Sequence, residues 1–278
     1  MQVVVITRKM WMTALGVLLL VALGIGLWFL FQGRTEEPVA PAMTLTNGYE
    51  LNTIPYTARE LPVYSVQTEE KCLALTIDAA WDTDKTQFIL DTLDRYDIHA
   101  TFFLCGVWVD AYPEFVKEIA ARGHEIGNHS LTHPHMSKLS KQEIERELLD
   151  LNAEIERLTG TACTLFRAPF GEYNDTVVST VRELGFEIVQ WNIDTVDWKE
   201  SRTADAILAT VKEKLAPGSI ILCHNNGYAI EEYLPKLLAF VTQEGYSFVT
   251  VSDLLPKGER DIDGNGVWRV GAASSAAS

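Results

Sequence analysis

The sequence predicts an α/β fold: a distorted (β/α) barrel of about seven parallel strands, preceded by one N-terminal transmembrane helix. Three observations carry that expectation. From residue 70 onward, short apolar runs alternate with longer amphipathic segments, the order that places parallel strands inside and helices outside. The intervening segments repeat their apolar residues every three or four positions, as in Ile144, Leu148, Leu151, Ile155 and Leu158, the period of a helix with one buried face. Ahead of this pattern lies an uncharged run of 21 residues, Trp11 to Phe31.

As a helix that run would be about 32 Å long, against about 30 Å of bilayer hydrocarbon. Arg8 and Lys9 precede it, and Glu36 and Glu37 follow shortly after. A basic leading flank holds the N-terminus in the cytoplasm and sends the rest outward. Residues 1–32 therefore read as a single-pass anchor in the cell membrane, with the remaining chain extracytoplasmic. A cleaved signal peptide is the rival, and it needs a shorter apolar core and a small-residue cleavage site.

Residues 33–60 are polar and proline-containing, and read as a linker. Strands are expected at 72–77, 100–104, 124–127, 164–167, 187–190, 219–223 and 247–251. Helices are expected at 84–96, 112–122, 141–159, 175–184, 204–215 and 231–244. Seven strands suit a closed or nearly closed barrel, with an open doubly wound sheet as the alternative. The globular domain spans 61–256, and 257–278 read as a flexible tail. Within it, Asp261, Asp263 and Asn265 match the first half of a calcium loop, but position twelve is Ala272 where that loop needs Glu. This segment reads as a turn.

The composition, 47% hydrophobic and 22% charged, suits a real core. The net charge of −15 argues against nucleic acid, whose phosphates need a basic surface. No G-x-G-x-x-G or Walker-type loop follows a strand, so no nucleotide is expected. Cys72, Cys105, Cys163 and Cys223 form no C-x-x-C pair. Three of them sit in or beside apolar runs, as free buried thiols do.

Chemistry concentrates where strands end, the usual place for an active site in parallel α/β folds. Asp78 follows the first strand, and His129 and His133 follow the third. Arg167 ends the fourth, Asp194 and Asp197 follow the fifth, and His224 ends the sixth. His129 and His133 are four apart, which on a helical turn would let two imidazoles grip one divalent metal. Arg167 is placed to pair with Asp78 and keep it ionised. His224, near Asp194 and Asp197, is a candidate acid or base. Trp81, Trp191 and Trp198 stand at strand ends, either as core or as faces for sugar rings. His99, His124 and His135 are less informative, and His135 should face away from His133 two residues earlier.

Together these residues resemble the polysaccharide deacetylase, or NodB-homology, domain of carbohydrate esterase family 4. Five motifs occur in order: Thr76-Ile77-Asp78-Ala79-Ala80-Trp81, His129-Ser130-Leu131-Thr132-His133, Arg167-Ala168-Pro169-Phe170-Gly171, Asp194-Thr195-Val196-Asp197-Trp198 and Leu222-Cys223-His224. The resemblance implies removal of acetyl groups from an N-acetylated glycan, and a divalent metal, zinc or alternatively cobalt or manganese. It further implies Asp78 as general base and His224 as general acid, with Arg167 orienting Asp78 and Asp197 tuning His224. His129 and His133 would hold the metal, Trp198 and Leu222 would line the acetyl pocket, and a backbone N–H near Phe170 would steady the oxyanion. Phe170 and Trp81 are further substrate-binding candidates.

One position departs from the pattern. The second Asp of the first motif, the family's third metal ligand, is Ala79. Three outcomes follow: Asp78 itself ligates the metal, Asp82 swings in, or the domain binds glycan without cutting it. The expected function is N-deacetylation of cell-wall glycan, peptidoglycan N-acetylglucosamine or similar. The alternatives are an inactive glycan-binding or wall-scaffold domain, and deacetylation of chitin oligomers or an exopolysaccharide.

Overall fold

Parallel strands form the centre of the molecule, and most are followed by a helix that carries the chain back to start the next strand in the same direction. The computed structural model describes residues 60–269. The expected anchor, nearly all of the linker and residues 270–278 lie outside the described residues. Among the described residues no helix is long and apolar enough to cross a membrane.

The strands are β1 (Ser65–Gln67), β2 (Cys72–Ala79), β3 (Thr101–Leu104), β4 (Glu125–Asn128), β5 (Leu165–Phe166), β6 (Glu187–Ile188), β7 (Ile193–Asp194), β8 (Ile220–His224), β9 (Ser247–Val249) and β10 (Val267–Arg269). The helices are α1 (Thr86–Tyr96), α2 (Gly106–Ala111), α3 (Pro113–Ala121), α4 (Lys141–Thr159), α5 (Asp175–Glu183), α6 (Ala204–Lys214), α7 (Ile230–Gln243) and α8 (Val251–Leu254). The main sheet runs β6-β5-β4-β3-β2-β8-β7, all parallel, with β9 also paired to β2. No ladder joins β6 to β7 among the described residues. Instead Val63 bridges Val189 and Ser65 bridges Ser219, so the segment ahead of β2 spans the gap at one end. The result is a curled, incompletely closed barrel.

Strand alternation sorts the core into two layers. Leu73, Leu75, Ile77 and Ala79 of β2 pack in the larger cluster with the buried faces of the helices. Ala74 packs in the second, with Phe103, Leu165, Val189 and Ile220. Thr76 and Asp78 share the parity of Ala74 and are buried polar groups. The inside of the barrel is therefore partly polar.

All seven expected strands and six expected helices are present, and α4 has the expected bounds. Its ends are set locally. Ser140 and Glu143 form a reciprocal capping box, and Gly160 closes the C-terminus in the left-handed region. Two kinds of difference stand out. The short β1, α2, β7 and α8 are additional elements. The segment after Pro256, expected to be a loose tail, carries β10, which pairs in parallel with β1 and buries Trp268. The aspartate-rich turn before it is a turn, because Asp263 Oδ1 accepts from the backbone N–H groups of Asn265 and Val267. All four cysteines are free thiols.

Away from the strand ends, His124 is buried beside Phe102 and His99. The Ala100 N–H donates to its Nδ1 at 3.3 Å, so the ring accepts there as neutral imidazole. Burial, reinforced by His99, lowers its pKa from 6.5 to about 4. The unfolded chain takes up that proton at higher pH, so the contribution is fully present above pH 6.5 and is lost as pH falls towards 4. A shift of this size corresponds to roughly 3 kcal/mol. His124→Phe should cost about 1 kcal/mol at pH 7 through the lost acceptor. Its stability deficit should shrink or reverse at pH 4.5, as measured by urea unfolding of both proteins at both pH values. A deficit independent of pH would contradict this assignment.

Candidate active site

The register of the central strands brings the chemistry together. Asp78 of β2 lies opposite His224 of β8 in the ladder, and Asp194 of β7 lies opposite Leu222. Asn128 ends β4 opposite Phe166, so His129 and Arg167 emerge beside each other. A cavity of about 600 Å³ opens at these strand ends. Asp78, His129, His133, Phe170, Trp81, Trp198, Leu222 and His224 all line it, as do Trp191, Asp194, Asn226 and Tyr228. Of the sequence-predicted site residues, Arg167 and Asp197 lie behind this wall, both fully buried. Asp82 does not line the cavity and its side chain is exposed. Its carbonyl accepts from Trp108 Nε1 and Asn225 Nδ2, which fixes the loop in place. In this conformation Asp82 does not supply the missing ligand.

Arg167 is a buried cation with its donors engaged. Its Nη1 donates to Asp78 Oδ1 at 2.7 Å and to Thr76 Oγ1 at 2.8 Å. Its Nε and Nη2 donate to the carbonyls of Val189 and Gln190. The guanidinium carbon sits 4.1 Å from the Phe103 ring centroid and 5.5 Å from that of Trp191. Burial raises the Asp78 pKa, but the opposing influence of Arg167, His129 and His224 is larger, and the net shift is downward. Asp78 is thus held as a carboxylate.

His224 has the opposite pairing. Its Nδ1 lies 2.7 Å from Asp197 Oδ1, so the Nδ1–H donates and Nε2 is left for the cavity. Burial lowers its pKa, and the bond to Asp197 with the charges of Asp197, Asp78 and Asp194 outweighs that, leaving the pKa raised. Gly227 packs against Asp197 so closely that any β-carbon would overlap its Oδ2.

His129 and His133 meet, with ring centroids 5.0 Å apart, but not on a helical turn. Ser130 and His133 both have positive φ, 66° and 58°. Side chains hold this loop: Ser130 N–H donates to Asn128 Oδ1, and His133 N–H to Ser130 Oγ. The His133 ring also packs edge-on against Trp81 and Phe170. Burial lowers its pKa to about 4, and burial likewise lowers that of His129. Both rings are neutral, as metal ligands must be.

The donor chemistry can be tested against a divalent metal. His129 Nδ1 faces the Arg167 carbonyl at 2.9 Å and so carries the proton, which leaves the Nε2 lone pair free. That Nε2 lies 3.7 Å from Asp78 Oδ2. This is too long for a hydrogen bond and close to the separation of two donors on one tetrahedral ion with bonds of about 2.1 Å. His129 Nε2 and Asp78 Oδ2 thus stand at the spacing of two donors to one ion, with the His133 ring beside them, 5.0 Å from that of His129. Ala79 adds nothing: it is 1% exposed, packs with Ile77 on the helix side of the sheet and does not line the cavity. Among the described residues no three His, Cys, Asp or Glu side chains are already gathered into a metal site.

Tyr228 and Tyr233 are site residues that sequence reasoning missed. Tyr228 is exposed on the cavity rim, while Tyr233 is a buried helix residue whose hydroxyl donates to Asp197 Oδ2 at 2.6 Å. Neither belongs to a motif.

A barrel with an Arg-held carboxylate, an Asp-held histidine and a histidine pair at its strand ends defines a polysaccharide-deacetylase class of site. Residues 65–189 match the family model described as polysaccharide deacetylase. A peptidoglycan-N-acetylglucosamine deacetylase of Bacillus cereus is 37% identical over 66% of this chain and 67% of its own length. The peptidoglycan-N-acetylmuramic acid deacetylase PdaC of Bacillus subtilis is 34% identical over 68% of this chain, which spans 40% of that protein. The crystal structure of BA3943, a CE4 family pseudoenzyme from Bacillus anthracis, superposes with a TM-score of 0.67 at 34% identity, covering 70% of this chain and 68% of that one. The chain belongs to the polysaccharide deacetylase family.

Removing Arg167 alone would strand the Asp78 charge in the barrel. Arg167→Met should cost about 3–5 kcal/mol in urea unfolding. Adding Asp78→Asn should recover part of that loss. Additive losses would mean that the two side chains are not coupled.

Proposed function

We propose that this protein hydrolyses N-acetyl amides of cell-wall glycan, with peptidoglycan N-acetylglucosamine as the favoured substrate, at the outer face of a membrane that Trp11 to Phe31 anchor it to. The observation that carries this reading is the pairing of an ionised Asp78 with a proton-bearing His224 across one ladder, both lining one cavity. Names of relatives support the substrate: the proteins at 37% and 34% identity act on the two sugars of peptidoglycan.

Asp78 Oδ2 takes a proton from the attacking water, while Arg167 holds Oδ1. The exposed faces of Trp81, Phe170, Trp198 and Tyr228 offer sugar rings apolar surface in a polar setting. Leu222 closes the floor against the acetyl methyl group. A backbone N–H near Phe170 donates to the developing oxyanion. His224 Nε2 delivers its proton to the departing amine, and Asp197 stabilises the imidazolium. His129 and His133 would hold a divalent metal, zinc or else cobalt or manganese, which would supply Lewis acidity to the carbonyl and the water.

A second reading has one observation in its favour. With Ala79 in place of the usual ligand, the domain would bind glycan and not cleave it. The likeness to a pseudoenzyme, one mutant of which is described as having restored activity, is consistent with that. The intact Arg167–Asp78 and Asp197–His224 pairs favour catalysis.

The full chain with saturating zinc, cobalt or manganese should release acetate from N-acetylglucosamine polymers or wall fragments. Asp78→Ala and His224→Ala should each lower that rate by about a hundredfold or more. Binding without acetate release would establish the second reading. In a separate calorimetric titration, His129→Ala with His133→Ala should abolish zinc binding, and unchanged binding would remove the metal assignment.

Asp78 must be ionised, and its pKa lies below the ordinary 3.8. His224 must be protonated, and its pKa lies above the ordinary 6.5. Activity should therefore persist past pH 6.5 and fall at more alkaline pH. Asp197→Asn should move that alkaline limb down, and an unmoved limb would free His224 of the role.

A further inference from the structure

Tyr233 lies outside all five motifs, on the α7 stripe formed by Ile230, Leu234, Leu237 and Leu238. A phenol in such a stripe is expensive unless its hydroxyl is bonded. Its hydroxyl donates to Asp197 Oδ2 at 2.6 Å. The same Oδ2 accepts from the His224 backbone N–H at 3.0 Å, while Oδ1 receives the His224 Nδ1–H at 2.7 Å. The main chain of Asp197 is also tied down, its carbonyl accepting from Tyr228 N–H at 2.9 Å.

Each bond has a distinct geometric effect. The χ2 torsion of Asp is broad, and of the three bonds that hold this carboxylate the Tyr233 hydroxyl is the one that does not come from His224 itself. The phenol enters from the helix side and the histidine from the strand side. Together they fix the carboxylate plane and hence the imidazole plane. Burial, reinforced by Asp197, raises the Tyr233 pKa well above its ordinary value, so the phenol stays a donor over the working range.

We infer that Tyr233 is a positioning residue for the reaction, acting through Asp197 to hold the His224 imidazole with Nε2 aimed into the cavity. This rests on the proposed deacetylase activity for its kinetic arm only. Tyr233 does not line the cavity, so it should affect the proton-delivery step and leave substrate binding alone.

The test uses the full chain and Tyr233→Phe, which keeps the ring and removes the hydroxyl. Expected is a fall in kcat of about tenfold, the scale of one lost hydrogen bond to a charged group, with KM unchanged. In an Asp197→Ala background the same substitution should cost nothing further in kcat. A second measurement does not need activity. In protein with nitrogen-15-labelled histidine, the proton resonance of the His224 Nδ1–H bonded to Asp197 should move upfield in Tyr233→Phe as that bond lengthens. It should stay in place in Leu237→Val, a core change on the same helix. An equal loss of kcat in both backgrounds, or an unmoved resonance in folded Tyr233→Phe, would overturn the inference. If the wild-type protein releases no acetate, the proposed activity fails, and the resonance alone decides the role of Tyr233.

Discussion

The interaction on which the rest of the site depends is the ion pair between Arg167 and Asp78 inside the barrel. A guanidinium taken out of water is costly unless its donors are engaged. Here they reach Asp78, Thr76 and the carbonyls of Val189 and Gln190, with aromatic rings of Phe103 and Trp191 nearby. One side chain thus ties the end of β5 to β2 and to the chain leaving β6. It also accounts for the polar parity of β2, in which Thr76 and Asp78 face inward while Leu75 and Ile77 face the helices. The same pair keeps Asp78 ionised in a place where burial alone would protonate it.

Around that fixed point the loops are bent hard. Asp82, Ser130, His133, Phe170 and Val196 all adopt positive φ, and each follows the end of β2, β4, β5 or β7. Such backbone costs about 1 kcal/mol or more per residue for side chains with a β-carbon. The bends are what aim side chains at one cavity. Gly171, at φ 66°, lies under the Trp191 ring where a β-carbon would press on it at 3.0 Å. Stability from the two apolar layers offsets this local strain.

Much of this was legible in the sequence where local rules dominate. Lys141–Thr159 shows a full helical period, with Ser140, Glu143 and Gly160 as caps, and its bounds follow from those residues alone. That Asp78, His129, His133, Arg167 and His224 gather at one end of the barrel was legible because parallel strands all point their C-terminal ends one way. What failed is non-local or short. β7 is two residues long, Ile193 and Asp194, and has no period to read. β10 pairs only because β1 lies beside it. The four-residue spacing of His129 and His133 suggested a helical turn, since positive φ at Ser130 leaves no mark in the sequence. Tyr233 reads as one more apolar-face residue until its partner, 36 positions earlier, comes into contact.

The charge state of Asp78 is the point at which fold and chemistry meet, and it can be observed directly. With carbon-13-labelled aspartate, the Asp78 carboxyl resonance should titrate with a midpoint below the ordinary value of 3.8. It should shift to higher pH in Arg167→Met if that variant stays folded. Titration of Asp78 in the wild-type protein at or above 3.8 would contradict a base held ionised by Arg167, and with it the assignment of roles across the site.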